Sequence, residues 1–316
     1  MSKTVSNALK IGVTLLGLWI VFRQVPFAAV WVQIQTARWQ WLLIALVLMI
    51  LSLVLRAWRW RVLLVGAGAV VRFGRLTQLY FIGNFFNAFL LSGMGGDVVR
   101  AVEASEDVSA EIAAGTVIVD RLTGLLTLFA IALFALPFRP ANFPNELLQL
   151  IVTVSIVGLI GGFVLLDGRL IRWFEQRLDT ISTNSMPLRL IRKHLLPIFN
   201  TVQGCGWPAV WQAITISLLF NGMLTTWWWL VGQALGLDIS FGYMLLIIPL
   251  LSLALLVPSF SGLGVREVLA PILLAGAAVS AENAVALTLT VLVLERISSL
   301  LGGPVYLFTL MKRSKN

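Results

Sequence analysis

The chain is 316 residues long, 59% hydrophobic and only 12% charged, with a net charge of +9 at pH 7. Soluble domains carry about 25% charged residues, so this is an integral membrane protein with several helical spans, and the surplus of Lys and Arg belongs to cytoplasmic faces rather than to nucleic-acid binding. The single Cys205 excludes an internal disulfide and a Cys-based metal cluster, and a His-based metal site or a Ser-His-Asp triad has one possible histidine, His194, in the wrong place within a polar, basic segment; no cofactor is expected.

Taken in order, residues 8–25 form the first apolar segment, retained as a span because no small-residue cleavage site follows it. Residues 39–55 make a second span, with Trp39 and Trp41 marking one interface and Trp58 and Trp60 the other. A basic loop follows, holding Arg56, Arg59, Arg61, Arg72 and Arg75 with no acid between them. Residues 77–92 are apolar but fall short of the roughly 20 residues that a span needs, and 93–115 are small and polar. Residues 116–136, ended by Pro137, and 148–166 are further spans. The hydrophilic connection 168–207 repeats Leu170, Phe174, Leu178 and Ile181 at helical spacing opposite Arg169, Arg172 and Arg177. That pattern predicts an amphipathic helix lying on an anionic membrane surface, the alternative being a solvated loop. Residues 209–233 span again, with Trp227, Trp228 and Trp229 near the end. Residues 241–257 are apolar up to a glycine-rich break, 267–281 are moderately apolar, and 284–310 form the last span before Lys312, Arg313 and Lys315.

Basic residues set the orientation. The N-terminus, the 56–75 loop, the 168–207 connection and the C-terminus hold 2, 5, 6 and 3 of them, against 2, 1 and 0 in the loops 23–40, 137–147 and 234–242. Both ends are therefore expected on the cytoplasmic side of the cell membrane. Parity then requires 77–115 to enter and return on the cytoplasmic side and 241–283 on the outer side. The expected fold is an all-α polytopic bundle of about six full spans plus two re-entrant or broken-helix regions, or about eight spans if each region is a pair of short ones.

The two odd regions resemble each other. Ser92-Gly93-Met94-Gly95 followed by Arg100 is echoed by Ser261-Gly262-Leu263-Gly264 followed by Arg266. Downstream of the first lies Asp120-Arg121, and downstream of the second Glu295-Arg296. Charges inside long apolar segments are costly in a bilayer and mark functional sites. Two sets in the same order predict related units over 77–136 and 241–310, inverted within one membrane domain over 1–316, with a polar site at their interface. A glycine-rich turn opening a helix offers free backbone N–H groups to an anion, and an arginine just past it can fork two hydrogen bonds to a phosphate. Arg100, Arg266, Gly93, Gly95, Gly262 and Gly264 are thus candidates for holding a lipid head group, the two arginines facing a shared cavity near the midplane. The cytoplasmic motif carries Asp97, Glu103, Glu106 and Asp107; the outer one carries Glu267 alone nearby. The alternative makes Asp120-Arg121 and Glu295-Arg296 structural ion pairs or gates. Neighbours on a helix do not face each other, so their partners lie elsewhere, Asp97 with Arg121 and Glu267 with Arg296 being available. Asn84 and Asn87 share one helix face, either as head-group ligands or as interhelical hydrogen-bond donors.

Arg56-x-x-Arg59-Trp60-x-x-Leu63-Leu64, Gly83-Asn84-Phe85-Phe86-Asn87, Gly95-Gly96-Asp97-x-x-Arg100, Asp120-Arg121 and the string from Pro258 to Glu267 resemble the membrane domain of the lysylphosphatidylglycerol synthase/flippase family over residues 8–311. The resemblance implies a multi-span bundle with re-entrant elements that moves a phospholipid, or a polyprenyl-linked lipid, between leaflets. Bifunctional relatives continue into a soluble domain that aminoacylates the lipid. This sequence stops at Asn316, so synthase activity is not expected. Expected partners are anionic or phosphate-bearing membrane lipids, with a second copy or a lipid-modifying enzyme as further candidates and no nucleic acid. The competing functions are a membrane-embedded transferase using Asp97 or Glu267 as acid and base, and an accessory subunit of a lipid-modification complex.

Overall fold

The computed structural model describes Trp19, Arg23, Trp173 and residues 27–89, 95–140, 143–167, 196–253 and 263–313. Among these residues the regular structure is helical throughout: α1 Phe27–Gln35, α2 Trp39–Gly66, α3 Phe73–Phe89, α4 Gly95–Ala104, α5 Ala110–Phe134, α6 Asn145–Asp167, α7 Leu196–Gly204, α8 Trp207–Ala234, α9 Phe241–Leu253, α10 Val265–Leu274, α11 Ala281–Leu300 and α12 Gly302–Arg313. Four of these are long and apolar enough to cross a membrane alone: α2, α5, α6 and α8. A fifth such stretch, Ala281–Met311, runs through α11 into α12. They coincide with the expected spans from residue 39 onward. The expected span at 8–25 lies, apart from Trp19 and Arg23, outside the described residues, as does the amphipathic helix at 168–181 apart from Trp173.

One boundary differs in a way that matters. The second span was expected to end at residue 55, but α2 runs on to Gly66. Nothing breaks a helix between Arg56 and Leu64, and the chain turns only where Gly68 takes a φ of 78°. Trp60 is therefore not an interfacial belt residue. It is fully buried, and its indole N–H donates to Thr116 Oγ1 at 3.0 Å. Trp227 and Trp228 are likewise core residues.

α2 and α8 lie antiparallel along their length. At one end Gly66 faces Cys205 and Ala209 so closely that a Cβ on Gly66 would collide with both. At the other, the Arg38 N–H donates to the Ala234 carbonyl at 2.8 Å. Lipid tails are as apolar as leucine, so close backbone approach at small residues replaces the hydrophobic drive between helices. Gly158 and Gly162 of α6 serve α5 in the same manner, against Phe129 and Leu126.

Two helical hairpins are set into this frame. In the first, α4 folds back along α3: Gly83 abuts Gly96 and Arg100, and the Gly96 N–H donates to Asn87 Oδ1 at 2.8 Å. Its base is tied by Arg75 to Asp107 at 3.0 Å, Glu106 at 3.6 Å and Glu103 at 3.8 Å. In the second, α10 returns along α9, the Tyr243 hydroxyl donating to the Leu273 carbonyl at 2.5 Å. Its base rests on Phe138 and Pro140, beyond the end of α5. At about 1.5 Å per residue, α4 and α10 are each about 15 Å long, half a bilayer core. The two hairpins have their bases at opposite ends of α5. Apolar packing is divided accordingly, around Trp60, Leu76, Leu79 and Tyr80 at one end and around Trp228, Met244, Ile247 and Leu274 at the other.

Candidate functional site

The polar centre is built where α2, α3, α4, α5 and α8 meet. Arg56, Arg59 and Trp60 share one face of α2 by their i, i+3, i+4 spacing. Tyr80 comes from α3, Arg100 and Asp97 from α4, Asp120 and Arg121 from α5, and Ser217 and Phe220 from α8. Asp120, 2% exposed, is the hub. Its Oδ1 accepts from Arg59 Nε at 2.7 Å, and its Oδ2 accepts from Arg100 Nη2 at 3.0 Å and from the Tyr80 hydroxyl. Arg59 also donates to Ser217 Oγ at 2.8 Å. Gly124, one turn past Asp120, leaves room for that guanidinium: a Cβ there would stand 3.2 Å from Arg59 Nη1. Arg100 lies over the rings of Tyr80 and Trp60, at 4.2 and 4.5 Å, and reaches Asp97 at 3.5 Å. Arg121 donates to Asp97, the pairing available from sequence.

Arg56 completes the cluster. Its guanidinium sits over Tyr80 at 5.5 Å and over Phe220 at 5.2 Å, rings it shares with Arg100 and Arg59 respectively. Its Nε is buried without a hydrogen-bond partner, and so is Nε of Arg100. Among the described residues the cluster thus holds Arg56, Arg59, Arg100 and Arg121 against Asp97 and Asp120, two more positive charges than negative.

The second hairpin is balanced. Arg266 donates to Glu295 Oε2 at 3.1 Å and faces the Trp228 ring at 5.7 Å. Glu267 does not meet Arg296 in the pairing named from sequence. Its carboxylate turns back to accept the Gly264 N–H at 2.6 Å, capping α10 where Gly264 takes a φ of 85°. Arg296 reaches across to the Ala88 carbonyl of the first hairpin. Asn84 also bridges the hairpins, donating to Ser299 Oγ at 3.1 Å. Both asparagines therefore make interhelical hydrogen bonds. Gly95 opens α4 and is buried; Gly93 and Gly262 lie outside the described residues.

Two sequence expectations need correcting here. Arg56 and Arg59 are not cytoplasmic loop residues but part of the buried site. The acid-rich look of the first motif dissolves, because Glu103, Glu106 and Asp107 serve the hairpin base. Arg56 and Arg59 stand in the family-like motif of the sequence but carried no site role there, and Tyr80 and Phe220 were not singled out; the signal was two arginines and a tryptophan at helical spacing with no nearby acid.

Three cavities of about 410, 510 and 480 Å³ run along the α2–α8 seam, sharing Trp58 and Arg61, then Leu219 and Met223. Neither Arg100 nor Arg266 lines them. Leu55 and Leu219, which do, stand one residue from Arg56 and Phe220.

The family described as Lysylphosphatidylglycerol synthase TM region matches residues 7–302. No curated protein and no solved structure matches the chain.

Proposed function

This chain belongs to the lysylphosphatidylglycerol synthase TM region family, and from that premise we propose that it moves a phosphate-bearing membrane lipid between leaflets without covalent chemistry of its own. The observation that carries the reading is the arginine cluster around Asp120, with Arg59 and Arg100 buried and Arg56 and Arg121 partly so, whose positive charge among the described residues exceeds that of its acids. In a bilayer, unneutralised charge is costly and marks a substrate path. An anionic head group crossing the apolar core gains at this site what it loses in water, and arginine forks match phosphate geometry. The two hairpins based at opposite ends of α5 supply elements that open toward either leaflet. We place both ends and the base of the first hairpin on the cytoplasmic side of the cell membrane, from the distribution of basic residues.

The test is reconstitution. Vesicles containing the purified protein and a fluorescent phospholipid are compared with protein-free vesicles for loss of inner-leaflet signal protection. Faster exchange with protein supports transport; equal rates reject it.

A further inference from the structure

We infer that the arginine cluster selects a lipid whose phosphate is a monoester carrying close to two negative charges over one whose phosphate is a singly charged diester. The inference rests on the lipid-transport reading above and names the substrate class of the same site.

The reasoning is a charge balance at fixed geometry. Arginine stays protonated in proteins, so Arg56, Arg59, Arg100 and Arg121 cannot relieve their mutual repulsion by losing protons. Asp120 is already shared by Arg59, Arg100 and Tyr80, and Asp97 by Arg121 and Arg100. Neither carboxylate forms an ion pair with Arg56, on which Asp120 acts only from a distance, and its closest partners are ring faces. Ring faces attract a cation but do not neutralise it. Among the described residues the surplus is two charges. A phosphodiester head group brings one; a phosphate monoester brings about −1.5 to −2 at pH 7 and three strong acceptor oxygens. The monoester also matches the donors left over, since Nε of both Arg56 and Arg100 is buried and unpaired. The transport reading supplies a membrane lipid as the source of this phosphate, and free phosphate is the competing source of the same chemistry. Phosphatidate and polyprenyl monophosphate share this chemistry.

The experiment is equilibrium binding, independent of transport. The full-length protein in neutral detergent is titrated at pH 7.5 with phosphatidate and with phosphatidylglycerol of the same chains, and unfolding midpoint and native mass spectra are recorded. Binding of phosphatidate at least tenfold tighter than phosphatidylglycerol is expected. In Arg56→Gln, which removes an unpaired charge and leaves the Asp120 contacts in place, the preference should fall to threefold or less with an unchanged or higher midpoint for the lipid-free protein. Inorganic phosphate at the same concentration should bind at least tenfold more weakly than phosphatidate. Equal affinity for the two lipids, or an undiminished preference in Arg56→Gln, overturns the inference. Selective binding without lipid movement in vesicles would sink the transport reading and leave this one standing.

Discussion

Glu295 and Arg296 are consecutive on α11 and hold different hairpins: Glu295 accepts from Arg266 at 3.1 Å, while Arg296 donates to the Ala88 carbonyl. Successive residues diverge around a helix, so one turn of α11 reaches the tip region of both hairpins at once. Asp120 and Arg121 on α5 do the same for a single hairpin, since both meet α4, at Arg100 and Asp97. The acid-Arg dipeptides are thus clasps, and their burial differs. The Asp120 side chain is 3% exposed and Glu295 30%.

That difference predicts a ranking of stabilities. Asp120→Asn leaves Arg59 and Arg100 buried without their carboxylate, a loss of about 3–5 kcal/mol. Glu295→Gln, partly wetted, should cost on the order of 1 kcal/mol. Unfolding of each variant in detergent, followed by loss of tryptophan signal or by denaturant titration, checks the order. A larger loss in Glu295→Gln would contradict the assignment of Asp120 as hub.

The hairpin crossing gives a second prediction. A Cβ at Gly96 would collide with the Gly83 carbonyl oxygen and Asn87, whereas one at Gly74 meets nothing within 4 Å. Gly96→Ala should destabilise by about 1–3 kcal/mol through forced separation of α3 and α4. Gly74→Ala should be neutral or slightly stabilising, as alanine favours the helix by up to about 1 kcal/mol. Comparable unfolding midpoints for the two would refute the crossing.

Orientation is open to cysteine labelling. The native Cys205 is buried, and burial pushes its thiol up to about 11, so it gives little background. Ser105→Cys, at the exposed base of the first hairpin, should react from the cytoplasmic side, and Asp238→Cys, exposed between α8 and α9, from the outer side. The reverse pattern would invert the protein in the membrane.

Much of the architecture was legible because bilayer crossing imposes length and hydropathy on each span. The spans from residue 39 onward, and the return of the chain at 77–115, follow from those constraints and from counting charges. The cluster was not, and the count itself hid it. A basic residue beside an apolar run reads as a topological anchor, so the sequence points to a loop at Arg56 and Arg59. Their acid, Asp120, lies 61 residues from Arg59 and is paired only by the tertiary fold. The sequence misleads at Glu267 for a related reason. Its nearest donor is its own helix N-terminus, three residues back, and a local cap precedes any longer-range partner.

The most direct measurement is the rate of lipid movement in vesicles containing the parent protein or Arg100→Lys, with unfolding midpoints recorded on the same preparations. Lysine keeps the charge but loses the planar fork and its stacking on Tyr80 and Trp60. The account predicts that movement falls about tenfold or more while the midpoint shifts by only a few degrees. Movement at the parent rate in Arg100→Lys would contradict the claim that the arginine cluster carries the head group across.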